Sequence, residues 1–302
     1  MACFHPIDAW QSKWKKDNGK SSVLFSTPVR NVENFEPIKV PCGQCVGCRL
    51  ERSRKWAMRC MHEMQMHEDN CFITLTYNDA NLPDDRSLNI RHFQLFMKRL
   101  RKRFGKGIRF FHCGEYGERF GRPHYHAIIF GFDFKDKVPF KQTETGSILY
   151  TSKALDELWP FGFSSIGEAN FSTAAYVARY IMKKVNGERA DAHYFDSYTG
   201  VFLKPEYVSM SRRPGIASTW YDRFEKDVFP SDYLIVNGVK CKPPRFYDTR
   251  YEVTNPEGFE FIKNERKKEM LKHLDEQTPE RLQVREIVAK ARLKTLKRDG
   301  VD

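Results

Sequence analysis

No stretch of these 302 residues approaches the roughly 20 consecutive apolar residues that a membrane helix needs. The N-terminus lacks the apolar core of a signal peptide as well, so the chain is expected in a reducing cytoplasm, without a membrane partner. A G-x-x-x-x-G-K-[ST] loop, which would cradle a nucleoside triphosphate, is missing. There is no internal repeat and no long low-complexity tract. Negative charge is in short supply: 39 Asp and Glu face 51 Lys and Arg, a formal net charge of +12. What the chain has instead is aromatic residues, 14% of the total. Positive charge and aromatic rings together suit a polyanion whose bases can be stacked upon.

The cations cluster. "KRLRKRFGK", residues 98 to 106, contains Lys98, Arg99, Arg101, Lys102 and Arg103, which makes it a candidate nucleic-acid surface. A solvated helix face is the plainer alternative for a run of this kind. The eight cysteines are mostly scattered through apolar patterns, where thiols serve as small hydrophobes. "PCGQCVGC" differs, because C-x-x-C-x-x-C brings Cys42, Cys45 and Cys48 round one point, as structural Zn²⁺ requires. Either Cys3 or Cys60 is available as a fourth ligand. A glycine-rich turn with three small apolar side chains is the alternative.

Periodicity places the elements. Residues 1 to 47 show little pattern and read as irregular. A helix is predicted from Leu50 to about His67, a strand over 71–77, and an amphipathic helix over 89–104 with a basic outer face. Residues 108–117 and 124–132 read as strands joined by the polar turn "ERFGRP", hence an antiparallel hairpin. A short helix over 152–159, a strand "FSSIGEA" and a helix capped by Ser172 and stopped by Gly187 follow. Strands and helices interspersed in this way make an α+β fold. Beyond Gly200 the patterns weaken until a charged helix over about 279–297.

Two constellations carry chemistry. In "PHYHAIIFG" His124 and His126 project from one face of a strand, and two imidazoles side by side are half a metal site. Glu115 can lie opposite them across the hairpin, completing a set that leaves a divalent cation open to substrate oxygens. Glu118, in the turn, competes for that place, and two histidines satisfied on a sheet surface are the simpler alternative. In "AAYVARYIMKK" Tyr176 and Tyr180 are four apart and share a helical face, which Lys183 and Lys184 extend. An aromatic pair in the core is the alternative there, but the lysines one turn on argue against burial. A phenol near a cation and a metal-bound phosphate can attack phosphorus.

The H-hydrophobe-H strand, the preceding "FITLTY" strand and the tyrosine-lysine helix together resemble the HUH endonuclease superfamily. Y-x-x-x-Y-x-x-K, with "PCGQCVGCR" before it, more closely resembles the replication initiators of small single-stranded DNA phages of the microvirus group, gokushovirus type. The likeness covers about residues 40 to 190. It departs from the simplest family pattern in its doubled tyrosine, as in initiators that cleave twice.

The resemblance implies a central antiparallel sheet flanked by helices, with an irregular Cys-containing segment (1–49), an HUH endonuclease core (50–200) and a helical C-terminal extension (201–302). It implies Mg²⁺ or Mn²⁺ at His124, His126 and Glu115, and nicking of a single-stranded origin by tyrosine through a 5′-phosphotyrosyl adduct. Lys183 would stand beside the phenols. Strand rejoining would need no ATP, and host helicase and DNA polymerase would do the rest in the cytoplasm of a bacterial host. Two readings of other classes stand beside it: an RRM-like single-strand binder without chemistry, and a zinc-dependent hydrolase built on the cysteines.

Overall fold

The computed structural model describes residues 3–15, 21–117, 121–143, 146–179, 190–196, 200–236 and 238–295. The chain divides into two compact units, one formed by residues up to Glu51 together with those from Arg266, the other by Arg52–Glu265.

The N-terminal residues are not irregular. β1 (Ile7–Lys15), β2 (Ser21–Leu24) and β3 (Phe35–Val40) form an antiparallel sheet in the order β2-β1-β3. Sequence patterning misses it for a physical reason. Ala9 is buried in β1 while Ile7 and Trp14 stay exposed, so hardly any apolar alternation exists to be read. Backbone pairing makes this sheet: Ile7 to Ser12 run opposite Val40 to Phe35.

The elements that position the site begin with α1 (Val46–Met64), which starts four residues before the predicted Leu50. β4 (Asn70–Tyr77), α2 (Ile90–Phe104), β5 (Arg109–Tyr116) and β6 (Pro123–Phe130) fall where periodicity puts them. Asn89 caps α2 by accepting the Arg91 N–H at 3.1 Å. Then come β7 (Val138–Gln142), β8 (Ile148–Thr151), α3 (Lys153–Leu158), β9 (Gly162–Glu168) and α4 (Phe171–Arg179). α4 is not capped by Ser172, which lies inside the first turn. Asn170 takes that role: its Oδ1 accepts the Thr173 N–H at 3.0 Å, and the Thr173 hydroxyl accepts the Asn170 N–H at 2.9 Å.

After these, α5 (Ala190–Tyr194), β10 (Phe195–Asp196), β11 (Val201–Phe202), β12 (Tyr207–Met210), α6 (Ser218–Val228), β13 (Leu234–Val236), β14 (Val239–Cys241), α7 (Arg245–Thr254), α8 (Pro256–Leu271) and α9 (Pro279–Thr295) complete the chain. β12 joins the main sheet, whose order is β12-β5-β6-β4-β9-β8-β7, every pair antiparallel. The fold is thus mixed α+β, a large antiparallel sheet flanked by helices.

Strand alternation gives this sheet two apolar faces. Ile73, Leu75, Tyr125, Ala127 and Ile129 meet Phe93, Phe96, Met97 and Leu100 of α2. Phe72, Phe111, Ile128 and Phe130 meet Ala57, Cys60 and Met64 of α1 and Ala174, Val177 and Ala178 of α4. A third cluster joins α1 to the later helices, where the His62 imidazole stacks on Trp220 at 3.6 Å and its Nδ1 meets the Tyr247 hydroxyl at 2.6 Å. Beside it the buried Glu63 carboxylate accepts from Arg109 Nε and from the Ala217 N–H, both at 2.5 Å.

Candidate active site

Register decides what the hairpin presents. β5 and β6 pair so that Glu115 stands opposite His124 and Cys113 opposite His126. On the other flank β4 places Thr76 opposite His124 and Thr74 opposite His126. Directly paired residues share a face, so both imidazoles, the carboxylate and the threonine hydroxyls lie together on the face covered by α1 and α4. Glu115 and His126 are each 1% exposed, and His124 is half-buried.

Hydrogen bonds fix the rings. His126 Nε2 lies 2.8 Å from Glu115 Oε1, and its Nδ1 lies 3.0 Å from Thr74 Oγ1. His124 Nδ1 lies 2.8 Å from Thr76 Oγ1. The threonines matter because a hydroxyl both donates and accepts. Each can receive an Nδ1–H, which leaves Nε2 as the ligating atom, the usual arrangement behind a metal-bound histidine. Two imidazoles and a carboxylate are a donor set suited to a divalent cation that also takes phosphate oxygens. The sequence offered a signal for the threonines in the alternation of "FITLTY".

A third histidine of the hairpin shows what the opposite face does. His112 is fully buried against α2, stacked on Phe93 with centroids 3.5 Å apart, and burial holds its pKa well below the usual imidazole value. It is a neutral core ring.

α4 delivers the tyrosine. Its buried face seats on β6, and Ser53 of α1 donates its hydroxyl to the Ala175 carbonyl at 3.0 Å, tying the two helices beside the site. Tyr176 is half-buried, its ring 5.1 Å from the His126 imidazole in an edge-to-face arrangement and 6.2 Å from Phe72. The Arg179 guanidinium stands 5.8 Å from the Tyr176 ring centre. Tyr180, Lys183, Lys184 and Glu118 lie outside the described residues.

The basic helix occupies a different place. α2 covers the sheet face opposite the two imidazoles, and several of its cations have structural partners. Arg99 donates to the Leu158 carbonyl at 2.9 Å, Arg101 to the Ile108 carbonyl at 3.0 and 2.7 Å, and Arg103 to Glu157 at 2.6 Å. Lys98 and Lys102 are exposed.

The cysteines converge. Sγ atoms of Cys3, Cys42, Cys45 and Cys48 all lie within 4.8 Å of one another, with Cys3 3.7 Å from Cys42 and 3.9 Å from Cys45. A tetrahedron of sulfurs around zinc at 2.3 Å has edges of about 3.8 Å, so the spacing fits that ion. Backbone amides point at the sulfurs: Phe4 and Cys48 donate to Cys45, and Cys45 to Cys42, at 3.3 to 3.4 Å. Gly43, at φ 74°, makes the turn between them. Cys60 is fully buried in the core and is not part of the cluster.

A family model described as Replication-associated protein ORF2 matches residues 70–185, which begins at the first residue of β4 and takes in both histidines and the tyrosine helix. The chain is 32% identical over 267 residues to Replication-associated protein VP4 of Bdellovibrio phage phiMH2K, covering 85% of this chain and 79% of that one. It is 32% identical over 286 residues to Replication-associated protein ORF2 of Spiroplasma virus 4, covering 89% and 86%. The chain belongs to the phage replication-associated proteins. Replication-associated protein ORF4 of Chlamydia phage 1 is a further relative, 31% identical over 217 residues, 69% of this chain and 52% of that one. No solved structure matches it. Among the described residues of this replication-associated protein, no helix is long and apolar enough to cross a membrane.

Proposed function

We propose that this phage replication-associated protein is a replication initiator that nicks single-stranded origin DNA by tyrosine transesterification and rejoins it in rolling-circle replication. The observation that carries the reading is Tyr176 set edge-on against His126, itself bonded to Glu115 and Thr74. His124, His126 and Glu115 would hold Mg²⁺ or Mn²⁺. Such an ion, when bound, polarises the scissile phosphate and offsets its charge. The residues do the rest. The phenol oxygen of Tyr176 or Tyr180 gives up its proton, bonds to phosphorus and displaces the 3′ oxygen, which takes up a proton and leaves as a hydroxyl. The 5′ end stays on the protein as a phosphotyrosyl ester. Arg179, and Lys183 as the resemblance has it, favour phenoxide over phenol. Because the ester conserves the energy of the broken bond, a second hydroxyl can reverse it without ATP.

Domain assignments follow that mechanism: residues 50–200 as the endonuclease core, 1–49 as a segment stabilised by a structural Zn²⁺, and 201–302 as an extension. The host bacterium's cytoplasm would supply the helicase and the DNA polymerase that extends the free 3′-hydroxyl. The test uses labelled single-stranded oligonucleotides tiled across the genome that carries the gene, incubated with the protein in Mg²⁺ and run on a denaturing gel. The expected result is a label that migrates with the protein and is lost in EDTA. Binding with no adduct on any oligonucleotide leaves the RRM-like binder instead.

A further inference from the structure

One large apolar side chain on the site face is unexplained by the core. Phe163 is 69% exposed. Its place is set by register: β4 pairs Thr76 with His124 on one side and with Phe163 on the other. Glu115, His124, Thr76 and Phe163 therefore form one row across four adjacent strands, all facing the same way. Two strand spacings put the Phe163 backbone about 10 Å from that of His124.

The chain takes a special step to expose this ring. Phe161 packs in the core on the α2 side, stacked on His92 at 4.3 Å. Strict alternation would send Phe163, two residues on, to the same side. Gly162 intervenes at φ 155°, where a Cβ would stand 2.2 Å from the Asn78 nitrogen and 2.5 Å from the Thr76 carbonyl oxygen. Phe163 emerges on the other face, and among the described residues no ring stacks on it. The outer side of β9 is open there, since β8 meets β9 only at Ile166. A cation sits at the same end of the sheet. Arg122 donates to the carbonyl of Tyr77, whose strand partner is Gly162, and its other branch meets the exposed Asp79.

We infer that Phe163 is a stacking platform for one unpaired base of the DNA strand, next to the phosphate held at His124 and His126. A flat ring exposed in line with the site, a guanidinium beside it and a chain of net charge +12 match a single strand of nucleic acid and no apolar partner. The inference rests on the nicking reading for the identity of the strand, and adds the residue that seats it.

The experiment measures binding in EDTA, where no cleavage occurs, using a short oligothymidylate that carries one 2-aminopurine. Phe163→Ala is expected to weaken binding by about 5- to 150-fold and to abolish the fluorescence quenching that stacking causes. Phe163→Trp should restore both, whereas Phe163→Leu, which keeps apolar volume without a π face, should not. The slope of log affinity against log salt should stay unchanged in Phe163→Ala, because no phosphate contact is removed. Unaltered affinity in Phe163→Ala, or full rescue by leucine, overturns the inference. Adduct formation by the unaltered protein in Mg²⁺ is read separately. If adducts form while Phe163→Ala binds normally, only this inference fails; if none form but stacking is seen, only the nicking reading fails.

Discussion

Tyr176 meets His126 edge to face, ring centroids 5.1 Å apart and planes at 86°. The phenol is thereby held at the site by packing rather than by a charged partner. Tyr176→Phe keeps that ring against His126 and Phe72, so the variant should fold as the parent does. If both tyrosines are nucleophiles, Tyr176→Phe and Tyr180→Phe should each still form a phosphotyrosyl adduct but fail to complete the second cleavage that releases a circle. The double variant should form no adduct. Complete turnover over many rounds by Tyr176→Phe would falsify the two-nucleophile mechanism and leave the ring a packing residue.

The histidines separate chemistry from binding. His124→Ala and His126→Ala should lose adduct formation while single-strand affinity, carried by Lys and Arg contacts, stays within a few-fold of the parent. His126→Ala removes a ring that is 1% exposed and bonded to a buried carboxylate, so it should also cost about 1–3 kcal/mol in a denaturant titration. The half-buried His124 should cost less. Glu115→Gln should raise the Mg²⁺ concentration needed for half-maximal nicking. If Glu118→Gln raises it and Glu115→Gln does not, the carboxylate has been misassigned.

Much of this site was legible in the sequence because the period of a strand is short. His124 and His126 share a face by counting alone, and the turn "ERFGRP" sets Glu115 across from them. Other features were not legible, each for a physical reason. Cys3 joins Cys42 from 39 residues away, and no local pattern announces a partner at that distance. Asn170 and Ser172 are both good caps two residues apart, and the reciprocal bonds with Thr173 select the asparagine. The α2 arginines read as a solvated basic face, yet Arg99 and Arg101 fold back onto main-chain carbonyls, which charge patterning cannot foresee. Strands of two to four residues after Gly200 are too short to show a period.

The four sulfurs predict their own assay. Purified protein should contain one zinc per chain by elemental analysis, and stripping it with a chelator should lower the melting temperature. Cys3→Ser should lose the metal as readily as Cys45→Ser, whereas Cys60→Ser should retain it. Zinc-free native protein would leave a turn of small apolar side chains.

Acid should weaken the fold through a histidine remote from the chemistry. Burial against Trp220 pushes the His62 pKa down to about 4 from an ordinary 6.5. The unfolded chain therefore takes up a proton near pH 6.5 that the folded chain refuses until near pH 4. Stability is intact above pH 6.5 and falls as the pH drops from there to about 4, by about 3 kcal/mol from this residue. His62→Phe keeps the stacking ring and should flatten that slope. His112 shifts in the same direction, so some slope should remain. An unchanged profile in His62→Phe would show that the imidazole is already charged in the folded state.

The row that joins Glu115, His124, Thr76 and Phe163 has a consequence for how such a protein can vary. Like a reading frame, the sheet is tolerant between words and intolerant within them. One residue gained or lost inside Pro123–Phe130 would turn the strand inside out, sending both imidazoles among Phe93 and Phe96 and bringing Tyr125 and Ala127 under α4. Insertions that respect the frame fall in the connections, so lineages of this protein are free to lengthen their loops while β4, β5, β6 and β9 keep a fixed count.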